Sequence, residues 1–137
     1  MTEIEFWAYL NMLLSKGRMG MRMGWVDCDK LGLNEAEMFI SSHMLLPKGY
    51  ESLSIDNIRR MGMLLFRDGV QLRTKQAVLI LLAHHPSKEA LAILKKFNLS
   101  PDRGLRIFSE LALDECCMWN DEKPPKGDRS VTFCRRE

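Results

Sequence analysis

Apolar positions recur at intervals of three and four along most of the chain, and this pattern predicts a succession of helices. Phe6, Trp7, Leu10, Leu13 and Leu14 mark a first amphipathic helix, with Glu3, Glu5 and Asn11 left for water. Thr2 and Glu5 have capping-box spacing, and Gly17 is placed to end the helix. Asn34 as N-cap, with Glu37 three residues on, opens a second helix whose apolar side is Phe39, Ile40, Met44 and Leu45, closed by Pro47 and Gly49. Ser54 caps a third, in which Ile55, Ile58, Met61, Met63, Leu64 and Leu65 face or flank the core. Arg67 and Gly69 suit its C-terminal turn.

The centre of the pattern lies between residues 74 and 119. Ala77 to Ala83 is an unbroken apolar run, and a helix with no polar face there is satisfied only by burial on nearly every side. After His84, His85 and Pro86, a further helix runs through 87–97. A second break at 98–101 leads to one in which Leu105, Phe108, Ala112, Cys116 and Trp119 share a face. Cys116 and Cys117 are adjacent on it, so their side chains diverge by about 100° and at most one is expected to follow the apolar stripe. The sum is an all-α domain of about six helices over 1–122, arranged as antiparallel hairpins in a short solenoid or an irregular bundle. Residues 123–137, Pro-Pro and charge-rich at first, are expected to form a mobile tail.

Composition changes this picture little. The 137 residues, 46% hydrophobic and 28% charged, fit one globular domain, and a net charge of +2 does not by itself call for nucleic acid or an anionic membrane. No apolar run reaches the roughly 20 residues of a membrane span, and the acidic amino end is unlike a secretory signal, so a cytoplasmic setting is expected. The four cysteines are then free thiols.

The exceptional stretch is 17–25, where Met19, Met21, Met23 and Trp25 alternate with Arg and Gly. Period two puts all four on one side of an extended segment. The ordinary reading is a loop over the core with its methionines tucked in. The functional one, carried forward as the candidate partner-binding site, is an adaptable surface for a protein, because unbranched methionine repacks readily. A thioether site for Cu(I) is the remaining alternative.

Lys75 to Ala83, followed after a short turn by Lys88 to Leu94, resembles one unit of the HEAT and armadillo helical repeats, and the 34–66 hairpin, starting about forty residues earlier, shares the spacing without the residues. The family is commonly a protein-binding scaffold, and the resemblance implies that use here.

Candidate chemistry is sparse. His84 and His85 stand at a helix end, where a protonated ring suits the dipole. With Cys116 and Cys117 they form the one grouping that zinc chemistry brings to mind, but adjacent pairs are poor ligand spacing, and no metal or cofactor is expected. Asp114 and Glu115 precede the two cysteines and oppose thiolate formation. Asp114, Glu115, Asp121 and Glu122 read as a solvated acidic helix end. No phosphate loop, nucleophile elbow or metalloprotease signature occurs. Arg59, Arg60, Arg67, Arg73 and Lys75, with Lys95, Lys96, Arg103 and Arg106, are the basis for an alternative, a nucleic-acid-associated helical protein. The expectation carried forward is a small protein-binding adaptor without catalytic activity.

Overall fold

The computed structural model describes residues 1–17, 34–43, 46–47 and 49–122. Among these are six α-helices: α1 (Glu3–Gly17), α2 (Glu35–Ser42), α3 (Ile55–Gly62), α4 (Leu72–Ala83), α5 (Lys88–Leu99) and α6 (Arg106–Trp119). The expectations for Met19, Met21, Met23, Trp25, Met44 and Leu45, and for the tail from 123, lie outside the described residues.

The helix starts follow local chemistry. Thr2 and Glu5 exchange backbone and side-chain hydrogen bonds at 2.8 and 3.1 Å, as do Asn34 and Glu37 at 3.0 and 2.8 Å. Ser54 and Ser87 each accept at 3.1 Å from the amide three residues on. The N-caps of α4 and α6, Gln71 and Leu105, make no such side-chain bond. Carboxylates from other helices serve instead: Glu3 accepts from the Gln71 amide at 3.2 Å, and Glu35 from the Phe108 amide at 2.8 Å.

Every residue from Thr74 to Ala83 is buried, because α4 packs against α2, α3, α5 and α6 at once. The arrangement is a helical bundle wrapped round α4. Phe6 and Leu10 bring α1 into the core, and Trp7 donates to the Thr74 hydroxyl at 2.9 Å.

Four expectations of facing are revised. Met63 is 56% exposed, because the helix tightens to a 3-10 turn over Met63–Phe66, which turns Leu64 and Leu65 inward and leaves Met63 out. Ile40 is 61% exposed, since α2 buries Met38, Phe39 and Ser42 instead. Cys116 and Cys117 are both fully buried, because α6 lies against α2, α4 and α5 and so has apolar neighbours over more than one stripe. Trp119, expected on the buried face, is about half exposed at the end of α6.

Candidate metal centre

His43 follows the last turn of α2, and its Nδ1 lies 2.8 Å from the carbonyl oxygen of Phe39. His84 ends α4 in the same way, with Nδ1 2.9 Å from the carbonyl oxygen of Ile80. A carbonyl only accepts, so Nδ1 carries the hydrogen in both rings, and the tautomer is fixed by the uncapped carbonyls of the helix end. Both Nε2 atoms then point at the same group. Glu115, in the last turn but one of α6, places Oε1 2.9 Å from His43 Nε2 and Oε2 2.7 Å from His84 Nε2.

Three helices therefore converge on one carboxylate, and the packing explains how. α2 runs beside α6 in the same direction: Glu35 bonds the first turn of α6, Phe39 meets Phe108 edge-on at 5.1 Å, and His43 reaches Glu115 two turns further along. The two imidazoles meet at 4.6 Å between centroids, nearly perpendicular, with Tyr50 edge-on to His84 at 5.5 Å. His84 is almost wholly enclosed, while Glu115 and His43 keep side-chain exposures of 22% and 33%, so water and ions have access from one side.

In this geometry each Nε2 faces a carboxylate oxygen, and two lone pairs aimed at each other repel. Something positive has to lie between them. A proton on Nε2 satisfies the contact and makes the ring an imidazolium; a divalent ion does the same for both rings together. Burial by itself pushes the Glu115 carboxyl up, but the hydrogen bonds and charges of His43 and His84 outweigh it and hold it down at about 2. Burial likewise opposes protonation of His43, and the bond to Glu115, its charge and the helix-end carbonyls overcome it, raising that ring above its ordinary value.

Among the described residues this is the one group of three potential metal ligands, its donor atoms all within 4.8 Å of one another. Two histidines locked by main-chain carbonyls with a carboxylate are a set that Zn²⁺ and other first-row divalent ions accept, with a position left for water. At the usual zinc distances, tetrahedral ligand atoms stand ~3.3 Å apart. The observed Nε2 to oxygen separations of 2.9 and 2.7 Å are shorter than this, so they would have to open by roughly half an ångström for His43, His84 and Glu115 to hold an ion.

His84, His85, Cys116 and Cys117, the grouping that the sequence offered for zinc against poor spacing, do not assemble. His85 points away, its Nε2–H donating to the carbonyl of Leu53 at 2.8 Å and its Nδ1 accepting from the Ser87 hydroxyl at 2.9 Å. That hydroxyl in turn caps α5, so both ring nitrogens of His85 are engaged in holding the α4–α5 turn. Cys116 contacts the His85 carbonyl at 3.7 Å and Asn120 Nδ2 at 3.5 Å. Burial above all, with Cys117 and Glu115 beside it, pushes its thiol up to about 12 against the opposing bond from Asn120, so it is no thiolate ligand or nucleophile. Of the acidic helix end, Glu115 is drawn into the cluster, while Asp121 is exposed and Glu122 makes solvent-exposed pairs with Lys88 at 2.9 Å and Lys95 at 3.4 Å.

Several of the basic residues are paired with carboxylates: Arg59 with Glu89, Arg60 with Asp56, Lys75 with Asp102 and Arg106 with Glu110. No helix among the described residues is long and apolar enough to cross a membrane. No protein-family model matches the chain, and no curated protein or solved structure matches it either.

Proposed function

We propose that this is a metal-binding helical adaptor, in which a divalent transition ion, Zn²⁺ foremost, is held by His43 Nε2, His84 Nε2 and Glu115. The observation that carries the reading is that two histidines, each with Nδ1 given to a main-chain carbonyl, present their remaining nitrogens to one carboxylate. The ion joins α2, α4 and α6, whose ligands are far apart in sequence, so binding it contributes to the folded state directly. A partner-binding role draws support from Ile40 and Met118, exposed on two of the three helices that the ion joins, with Trp119 next to Met118 in sequence. It is also what the resemblance of 75–94 to helical repeats implies.

Calorimetric titration of the metal-free protein with Zn²⁺ at pH 7.5 tests it. One ion per chain is expected, with release of protons, and His43→Ala and Glu115→Gln should each weaken binding by about 10- to 100-fold or more. Co²⁺ in place of Zn²⁺ should give the visible absorption of a low-coordinate site. A protein that takes up neither ion holds a proton-bridged structural triad, and the metal reading falls.

A further inference from the structure

A second site lies at the other end of α4, about 13 Å along the helix from His84. Lys75, in the first turn of α4, has only 5% of its side chain exposed, and its ammonium stands 2.6 Å from Asp102 Oδ2. An ammonium has three N–H donors, and among the described residues Asp102 is the one acceptor that Lys75 reaches. Buried charge is tolerated when its hydrogen-bonding capacity is filled, so two open donors call for an acceptor from outside.

Lys75 forms part of the wall of a groove of about 460 Å³. Leu65, Phe66, Val70 and Phe97 make its apolar side, and Lys96 holds its ammonium 5.1 Å above the Phe66 ring. This volume is in the range of sites for small molecules, and the wall is mixed, with Asp68, Lys75, Lys96, Ser100 and Asp102 lining it beside the apolar residues. Asp68 and Asp102 on the same groove balance the two lysines, which disfavours a polyanion.

We propose that the groove binds a small monocarboxylate with an apolar, aromatic or branched body. Its carboxylate takes the open donors of Lys75, and its body lies against Phe66 and Phe97. The site is independent of the metal centre and stands or falls without it.

Phenylacetate is a suitable probe, followed by amide-resolved NMR titration of the full chain, with phenylacetamide and inorganic phosphate as comparators. Saturable shifts confined to residues 65–70, 75 and 96–102 are expected for phenylacetate, with phenylacetamide about tenfold weaker and phosphate without effect there. Lys96→Met and Phe66→Ala, both at exposed side chains, should each weaken binding about threefold or more, and they carry the test if Lys75→Met does not fold. Equal binding of acid and amide would show an apolar groove without carboxylate recognition. Phosphate matching phenylacetate would show a bare anion site, and no saturable shift would show no site. Each of these overturns the proposal.

Discussion

His84 and Glu115 meet across the α4–α6 interface at 2.7 Å, the shortest of the contacts in the cluster and the one with the most enclosed partner. The Ile80 carbonyl holds the ring on its other side, so His84 has one orientation and presents Nε2 to Glu115 Oε2. His43 completes the group from α2, an eight-residue helix too short to be stable without its packing. Metal binding should therefore be read most clearly in the thermal stability of the whole bundle. At a hundredfold excess over its dissociation constant, an ion that binds only the folded chain adds about 2.7 kcal/mol, or roughly 8 to 12 °C in a domain of this size. Differential scanning fluorimetry with Zn²⁺ and then excess chelator should show that rise and its reversal, and His43→Ala should show about half the rise or less.

The pH dependence of the metal-free protein separates protons from metal in the same cluster. Glu115 is lowered from 4.5 to about 2, so its contribution is present above pH 4.5 and lost as pH falls toward 2. His43 is raised above 6.5, so its contribution is full below that pH and is lost as pH rises through the raised value. The cluster stabilises the metal-free chain most between about pH 4.5 and 6.5. With Zn²⁺ the alkaline side reverses, because the ion takes the nitrogens only when Nε2 is deprotonated. Urea melts from pH 4 to 8.5, with and without the ion, should cross over in this way. His43→Ala should flatten both profiles on their alkaline side, and parallel profiles in the wild type would refute the linkage.

What the sequence made legible was local, and what it hid was the meeting of distant residues. The caps at Thr2, Asn34 and Ser54 and the burial of 77–83 follow from rules that act over three or four residues. His43 and Glu115 are 72 positions apart, and only the way α2 lies along α6 brings them together. A trace of the site was nevertheless present. His43 falls four residues after Phe39, and Glu115 four after Leu111 and three after Ala112, so each continues an apolar stripe with a charged or polar group. The adjacent His84 and His85 concealed rather than revealed the centre, because consecutive residues at a helix end point apart.

Burial of α4 can be weighed by truncation. Leu79 and Leu82 are fully enclosed, and Leu→Ala at either should cost about 2 to 5 kcal/mol through lost transfer energy and the cavity left behind. Lys88 bonds Glu122 at 2.9 Å, but at 75% exposure water competes for both charges. Denaturant melts of Lys88→Ala should nearly overlay the wild type. Similar small losses for all three variants would mean that α4 is not the centre of the core.

Gly62 of α3 lies against Ile93 of α5. A Cβ built there would lie 2.7 Å from Ile93 Cδ1 and 3.2 Å from its Cγ2, so the hydrogen side chain is what lets Ile93 fill the seam. The backbone itself makes no such demand, since Gly62 has φ −63° in an ordinary helical conformation. Two effects of Gly62→Ala then oppose each other: a gain of up to ~1 kcal/mol in helix propensity, and an overpacking cost of about 1 to 3 kcal/mol. In the wild-type background the second should prevail, giving a net loss of about 1 kcal/mol. Removing the obstructing atoms with Ile93→Ala leaves only the first, so Gly62→Ala should stabilise that variant by about 0.5 to 1 kcal/mol. A double-mutant cycle by urea denaturation measures the difference, and a change of sign between backgrounds is the expected result. Equal effects in both would show that Ile93 moves aside without cost, and that the distance between α3 and α5 is set by other side chains in the interface.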